Sequence, residues 1–163
     1  MLVIWVPKEK SAGAVVFRRE KANDKEKIFY LVLHYHFKGD YWDFPRGKIE
    51  KGETEDQTAK REIKEETGIE NSELEFVESF RETTSWFYKW KGETIAKEAV
   101  YFLAETKQEK VEVSFEHLGY KWLEFDEAMK TLTYENTKEI LKAAREFLQK
   151  HNKSDIEKFL KDK

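Results

Sequence analysis

Apolar positions along the chain fall into short runs of strand character separated by charged connections, and in three places the spacing changes to that of a helix. Residues 10 to 17, Lys-Ser-Ala-Gly-Ala-Val-Val-Phe, read as a first strand with small residues at its start. There Gly13 and Ala14 allow either close packing or the close approach of a ligand. Residues 18 to 27 read as a polar connection, and Ile28 to His34 as a buried strand. Gly39-Asp40 marks a turn, after which Tyr41 to Lys48 forms a short edge strand or extended lead-in, because Pro45 has no N–H to give a ladder. Glu73 to Phe80 and Ser85 to Trp90 read as strands, with Lys91-Gly92 turning the chain. Ala99 to Ala104 is the most apolar run and predicts a central strand; Lys107 to Val113 reads as a charged loop and short strand, and Phe115 to Leu123 as an aromatic-flanked strand.

Helical spacing comes first between Thr54 and Gly68. Thr54 with Gln57 three residues later makes a capping box, and Gly68 sits where a helix ends on glycine. Ala59 and Ile63 supply a buried stripe while the Glu side stays wet. Asp126 is read as the cap of a short helix, Phe125 to Lys130. Asn136 with Glu139 opens a longer helix carrying Ile140, Leu141, Ala144, Phe147 and Leu148 on one face. Ser154 opens a final charged turn or helix with Ile156, Phe159 and Leu160 as its stripe. With no internal repeat or low-complexity tract, residues 1–163 are expected to form a single domain, with a core over about 10–148 and a charged C-terminal extension over 149–163.

Composition narrows the chemistry. Thirty basic residues against 33 acidic ones give a net charge of −3, which argues against non-specific nucleic-acid binding through a broad basic field. Cysteine is absent, so disulfides, thiol catalysis and Cys-ligated zinc are excluded. The apolar start, Met1 to Pro7, is too short for a signal h-region and has no basic leader, and no run approaches the roughly 20 apolar residues that span a bilayer. A soluble, cytoplasmic protein is expected, and a monomer. Aromatics at 15% leave rings for both core and ligand stacking.

The candidate chemistry centres on Arg61-Glu62-Ile63-Lys64-Glu65-Glu66. On a helix Glu62, Glu65 and Glu66 lean to one side, and like charges at those spacings repel by roughly 0.2 to 0.5 kcal/mol per pair. A divalent cation between them reverses that sign, and clustered carboxylate oxygens are what Mg²⁺ or Mn²⁺ prefers. Gly47 and Gly52 flank a charged loop whose backbone can approach a ligand closely. Beside it, Arg46 and Lys48 either meet phosphate oxygens or neutralise neighbouring acids. Trp86, Phe87, Tyr88 and Trp90 alternate faces, so half of them point outward, as a base-stacking surface or as sheet packing. His34 and His36 read as polar edge residues rather than ligands.

The stretch from Gly47 to Ile69 resembles the Nudix box. Gly47, Glu53, Arg61, Glu62, Ile63, Glu65, Glu66, Gly68 and Ile69 fill every specified position. The likeness extends to Trp42-Asp43-Phe44-Pro45-Arg46-Gly47-Lys48, to Glu116-His117-x-x-Tyr120-x-Trp122-Leu123 and to the C-terminal helix, which look like the asymmetric diadenosine tetraphosphate hydrolases. What the resemblance implies is the α/β (α+β) Nudix fold, a mixed β-sheet sandwiched between α-helices. It also implies metal-dependent hydrolysis of a dinucleoside polyphosphate to a nucleoside triphosphate and a monophosphate. Glu62, Glu65 and Glu66, with the Gly47 carbonyl and Glu116, then resemble the metal ligands, and Glu53 and Arg61 brace the loop against the helix. By the same resemblance Tyr120 matches a ring near the adenine and Lys97 or Lys89 meets the phosphate chain, while Arg46, Lys48, Tyr41, Trp86 and Tyr88 are candidate substrate contacts from the residues themselves. Metal on the acids would offset the charge of the phosphates and activate a water, whose proton goes to Glu116 or to an acid of the box. The alternatives are an RNA 5′-end or nucleotide pyrophosphohydrolase, and a nucleotide-sensing module that binds without cleaving. Pro45-Arg46-Gly47-Lys48 in place of Pro-Gln-Gly-Gly shifts weight away from RNA ends.

Overall fold

A computed structural model describes residues 5–37 and 39–151. The stripe of Ile156, Phe159 and Leu160 lies outside the described residues, as does the start of the chain through Ile4. Strands β1 (Lys8–Ala22) and β2 (Lys25–Tyr35) form a long antiparallel hairpin. Residues 18–27, expected to be a polar connection, are the distal half of that hairpin. Their two-residue turn, Asn23 and Asp24, has positive φ at both positions (53° and 62°), the geometry that matches strand twist. The charges that look like loop composition pair across the ribbon instead, Arg19 reaching Glu26 at 2.6 Å and Glu105 at 3.0 Å.

Two short strands follow, β3 (Tyr41–Asp43) on β2 and β4 (Arg46–Lys48) on β1. Helix α1 (Glu55–Thr67) comes next, then β5 (Leu74–Phe76), β6 (Glu82–Trp90), β7 (Glu93–Thr106) and β8 (His117–Leu123). Two helices, α2 (Phe125–Thr131) and α3 (Glu135–Lys150), close the described chain. The sheet runs β3-β2-β1-β7-β5, with β4 also on β1, β6 on β7 and β8 on β2. Among the described residues only β1 and β7 pair in parallel, so the sheet is mixed. The central place of the 99–104 run is as its apolarity requires.

Alternation along β1 separates two cores. Ala14 and Val16 face α1 with Leu31, Leu33, Ile63 and Ile69. Val15 and Phe17 face the other way, onto Tyr30, Tyr101 and Leu103 and the inner stripe of α3, Ile140, Leu141, Ala144 and Leu148. The sheet is thus sandwiched between α1 and the α2–α3 pair.

Helix ends divide into one that obeys local rules and two that do not. At α1 the Thr54–Gln57 box is reciprocal, and Gly68 at φ 74° donates its N–H to the Lys64 carbonyl at 2.9 Å. Helix α2 starts from Glu124, with Asp126 inside its first turn rather than capping it. Helix α3 starts from Tyr134, two residues earlier than the Asn136–Glu139 box implies, with no side-chain cap and with the Thr137 hydroxyl donating to the Tyr134 carbonyl at 2.8 Å. Of the stretch 73–80 only 74–76 is strand, since Ser79 turns the chain at φ 70°. Residues 107–113 carry no strand; Glu112 makes one backbone bond to Thr67 while Val111 plugs the α1 face. At Gly13 the close approach is backbone packing: a Cβ would overlap the Pro45 carbonyl, and Ala14 N–H donates to that oxygen at 3.1 Å. No helix among the described residues is long and apolar enough to cross a membrane.

Candidate active site

Strand β4 lies against the start of β1, pairing Ala12 with Gly47 and Gly13 with Arg46. This sets the Gly47 backbone directly against α1: a Cβ on Gly47 would overlap the carboxyl group of Glu62. One turn on, Glu66 is buried, with Oε1 accepting the Arg46 N–H at 3.0 Å and Oε2 lying 2.7 Å from Nε2 of His117. The Tyr35 hydroxyl, which donates to the Phe44 carbonyl at 2.9 Å, stands beside the same carboxylate.

Glu62 and Glu66 lie against one another in this half-enclosed corner. Burial is the main reason that both bind a proton more tightly than an ordinary carboxylate, Glu62 being pushed up to about 8 and Glu66 to about 7. The neighbouring carboxyl adds to the shift at Glu62, and the charge of Glu116 adds to that at Glu66. The corner therefore favours a shared proton or a cation over two bare negative charges.

Arg61 ties the preceding loop to the helix. Its Nε and Nη2 grip Glu53 at 2.7 and 2.9 Å, Nη2 also reaches the Lys48 carbonyl at 3.0 Å, and Nη1 contacts Glu62 at 2.7 Å. Glu53 in turn accepts from Glu50 N–H and the Thr58 hydroxyl, and the Arg61 bond, ahead of these, lowers its pKa to about 2. Glu65 is not brought to the acid pair. Its side chain is 58% exposed and its Oε2 is held by Arg61 at 3.1 Å.

Among the described residues no three His, Cys, Asp or Glu side chains form a ready-made cation cage. What is present still suits a divalent ion: two adjoining carboxylates of raised pKa, a glycine backbone against them, and a buried Glu66 Oε2 with no hydrogen-bond partner. Such an ion would draw its remaining ligands from water and from a substrate.

Beside this corner opens a cleft of about 1050 Å³, lined by Arg46, Gly47 and Lys48 of β4 and by half-buried Glu116. Trp86, Tyr88 and Lys97 line it from β6 and β7, and Tyr41 from β3. The Lys97 ammonium lies 5.8 Å from the ring centres of both Trp86 and Tyr88. Tyr120 and Lys89 do not line the cleft, and Phe87 is 72% exposed on the opposite face of β6. Tyr120 sits on β8 opposite Leu33, beyond β2 from the β4 corner.

Several residues of this region escape a sequence reading. Asp43 is 1% exposed, pairs with Arg46 at 3.2 Å and accepts from the Tyr101 hydroxyl at 3.2 Å. Burial raises the Asp43 pKa, against the Arg46 charge. The i,i+3 spacing of Asp43 and Arg46 was the available signal. His117 stands in the Glu116-His117 motif, which gives no sign of its contact with α1, and Tyr134, which tilts against Tyr41 at 5.6 Å, stands in no periodic or charged pattern.

The NUDIX domain profile matches residues 7–144. The asymmetrical bis(5′-nucleosyl)-tetraphosphatase of Mus musculus is 34% identical over 143 residues, spanning 85% of this chain and 95% of that one. Its counterpart in Caenorhabditis elegans is 34% identical over 140 residues, 85% of this chain and 96% of that one. The crystal structure of a C. elegans Ap4A hydrolase binary complex superposes with a TM-score of 0.76 at 34% identity, over 88% of this chain and 99% of that chain. The chain belongs to the Nudix family of hydrolases.

Proposed function

We propose that this protein cleaves dinucleoside polyphosphates, diadenosine tetraphosphate to ATP and AMP foremost, with Mg²⁺ or Mn²⁺ held by Glu62, Glu66 and the Gly47 carbonyl. The observation that carries this reading is the buried Glu62–Glu66 pair beside a cleft that is aromatic and cationic at once. Relatives named as asymmetrical tetraphosphatases support the substrate class.

Within that reading the chain's own groups divide the work. Arg46 offers a guanidinium fixed by Asp43, and Lys48 and Lys97 add two more positive charges on the cleft wall, so three cations face an extended phosphate chain. Trp86, Tyr88 and Tyr41 offer ring faces for a base. The Arg61–Glu53 clamp keeps the loop and helix in register, which holds Gly47 against Glu62. A divalent ion supplies neutralisation of phosphate charge and a more acidic water. Glu116 or an acid of the box accepts the water's proton. Glu65 joins the ligand set only by leaving Arg61.

Two measurements test this. With Mg²⁺, diadenosine tetraphosphate is expected to yield ATP and AMP while triphosphorylated RNA is left largely intact. Phosphate or pyrophosphate from RNA alone would replace the reading with an RNA-end hydrolase, and no cleavage of either would leave a binding module.

The second is thermal unfolding with Mg²⁺ and with chelator. Folded Glu62 and Glu66 bind protons more tightly than in the unfolded chain, so metal-free stability falls as pH rises from about 4.5 towards about 8. Metal replaces those protons, so the gain in Tm from Mg²⁺ is expected to be small near about pH 5.5 and large near about pH 8.5. Equal gains at both would remove the acid pair as the binding site.

A further inference from the structure

We infer that His117 is a positioning residue for the Glu66 carboxylate, held in a single orientation by Ser114. The inference rests on the reading that Glu66 holds a divalent ion. Its own support is a buried contact and a defect in the sheet that creates it.

The contact joins two side chains that are 0% and 4% exposed. Nε2 of His117 lies 2.7 Å from Oε2 of Glu66. The two atoms are close without the alignment of a hydrogen bond, and neither has a hydrogen-bond partner elsewhere. Each is therefore left to the other, because an unmet polar atom in such a place is costly. On the far side of the ring, Nδ1 lies 2.9 Å from the Ser114 hydroxyl. A carboxylate oxygen needs a donor, so Nε2 carries the hydrogen and Nδ1 accepts from Ser114. The ring also packs edge-on against Tyr35, with centroids 4.4 Å apart.

The defect is a bulge in the β2–β8 ladder. His34 pairs with Gly119, but its neighbour Tyr35 pairs with His117 rather than with Leu118. Leu118 is the extra residue and is 61% exposed. Because side chains alternate along a strand, one inserted residue reverses the face of what precedes it. The bulge thereby turns His117 inward to α1. The same inversion sets the ring against both Tyr35 and Glu66.

Both carboxylate oxygens of Glu66 are then oriented by the chain, Oε1 by the Arg46 N–H and Oε2 by His117. Each oxygen keeps a lone pair for a cation. Fixing a ligand's orientation from behind is the usual work of such partners, and their loss typically lowers metal affinity by about 10- to 100-fold.

The test uses Mn²⁺ alone with the full chain, by titration calorimetry and by the nitrogen coupling of the bound ion's electron-spin-echo signal. His117→Leu is expected to weaken Mn²⁺ binding about 10- to 100-fold, and His117→Gln, which keeps a donor near Nε2, to recover most of it. Ser114→Ala, a surface-compatible change that tests the same chain should His117→Leu fail to fold, is expected to weaken binding about threefold or more. Wild-type Mn²⁺ is expected to show no imidazole nitrogen coupling. Wild-type affinity in His117→Leu or Ser114→Ala, no recovery in His117→Gln, or nitrogen coupling from a directly bound imidazole would each overturn the inference alone. A wild-type protein that binds no Mn²⁺ would overturn the metal reading and the inference with it.

Discussion

Glu66→Gln is expected to lower metal-dependent turnover by about a thousandfold, equivalent to roughly 4 kcal/mol of barrier. The substitution keeps shape: the amide oxygen can still accept the Arg46 N–H that now reaches Oε1 at 3.0 Å. What it removes is the negative charge, and at the other oxygen it presents an N–H₂ donor to His117 Nε2, 2.7 Å away in the parent. The folded protein should not suffer in parallel. Burial already pushes the Glu66 pKa to about 7, so near neutrality the fold carries this group at a cost that the neutral amide avoids. The check is to measure kcat at saturating Mg²⁺ together with metal-free Tm. A loss of less than tenfold in kcat would take Glu66 out of the reaction, and a collapse of Tm would make it a structural residue.

Why this acid was legible, and others less so, has a physical basis. The Glu62–Glu66 pair, its capping box and its terminal glycine are all encoded at separations of three to six residues on one helix, where spacing fixes geometry. The strands of the central sheet were legible for the same reason, since apolar runs such as 99–104 have one low-energy place to go. The distal hairpin was not, because its charges satisfy one another across the ribbon and so resemble loop composition. Nor was the inward turn of His117, which depends on a register shift against a strand some 80 residues earlier in the chain, a fact no local pattern contains. Tyr120 is the complementary case: it stands in a familiar motif, and its strand pairs with β2, where the residue does not line the cleft. The ends of α2 and α3 show that a cap-type residue does not by itself fix a helix start, since Glu124 and Tyr134 stand at the caps and neither makes a side-chain cap bond.

Gly47→Ala should separate activity from stability most sharply. The added methyl would overlap the Glu62 carboxyl group, and strand β4 cannot retreat because Gly47 is paired with Ala12 while Pro45 receives the Ala14 N–H. The movable partner is the far end of the Glu62 side chain, which can rotate away at little cost to folding. Gly47 does not adopt a left-handed conformation, so alanine fits its backbone and narrows the unfolded ensemble, a gain of about 0.4 to 1 kcal/mol that offsets the displacement. Turnover has no such compensation: moving a carboxylate by about an ångström can cost about a hundredfold, and here the group is displaced outright. The expected result is a Tm within a few degrees of the parent and a loss in kcat of about a hundredfold or more. Gly13→Ala, on the same β1–β4 seam, should divide the other way. Its Cβ would meet the Pro45 carbonyl and the Arg46 backbone, neither of which can swing aside, so destabilisation of at least about 1 to 3 kcal/mol is expected. If Gly47→Ala instead melts like Gly13→Ala while retaining turnover, the glycine serves strand packing and the Glu62 carboxylate is not held where the reaction needs it.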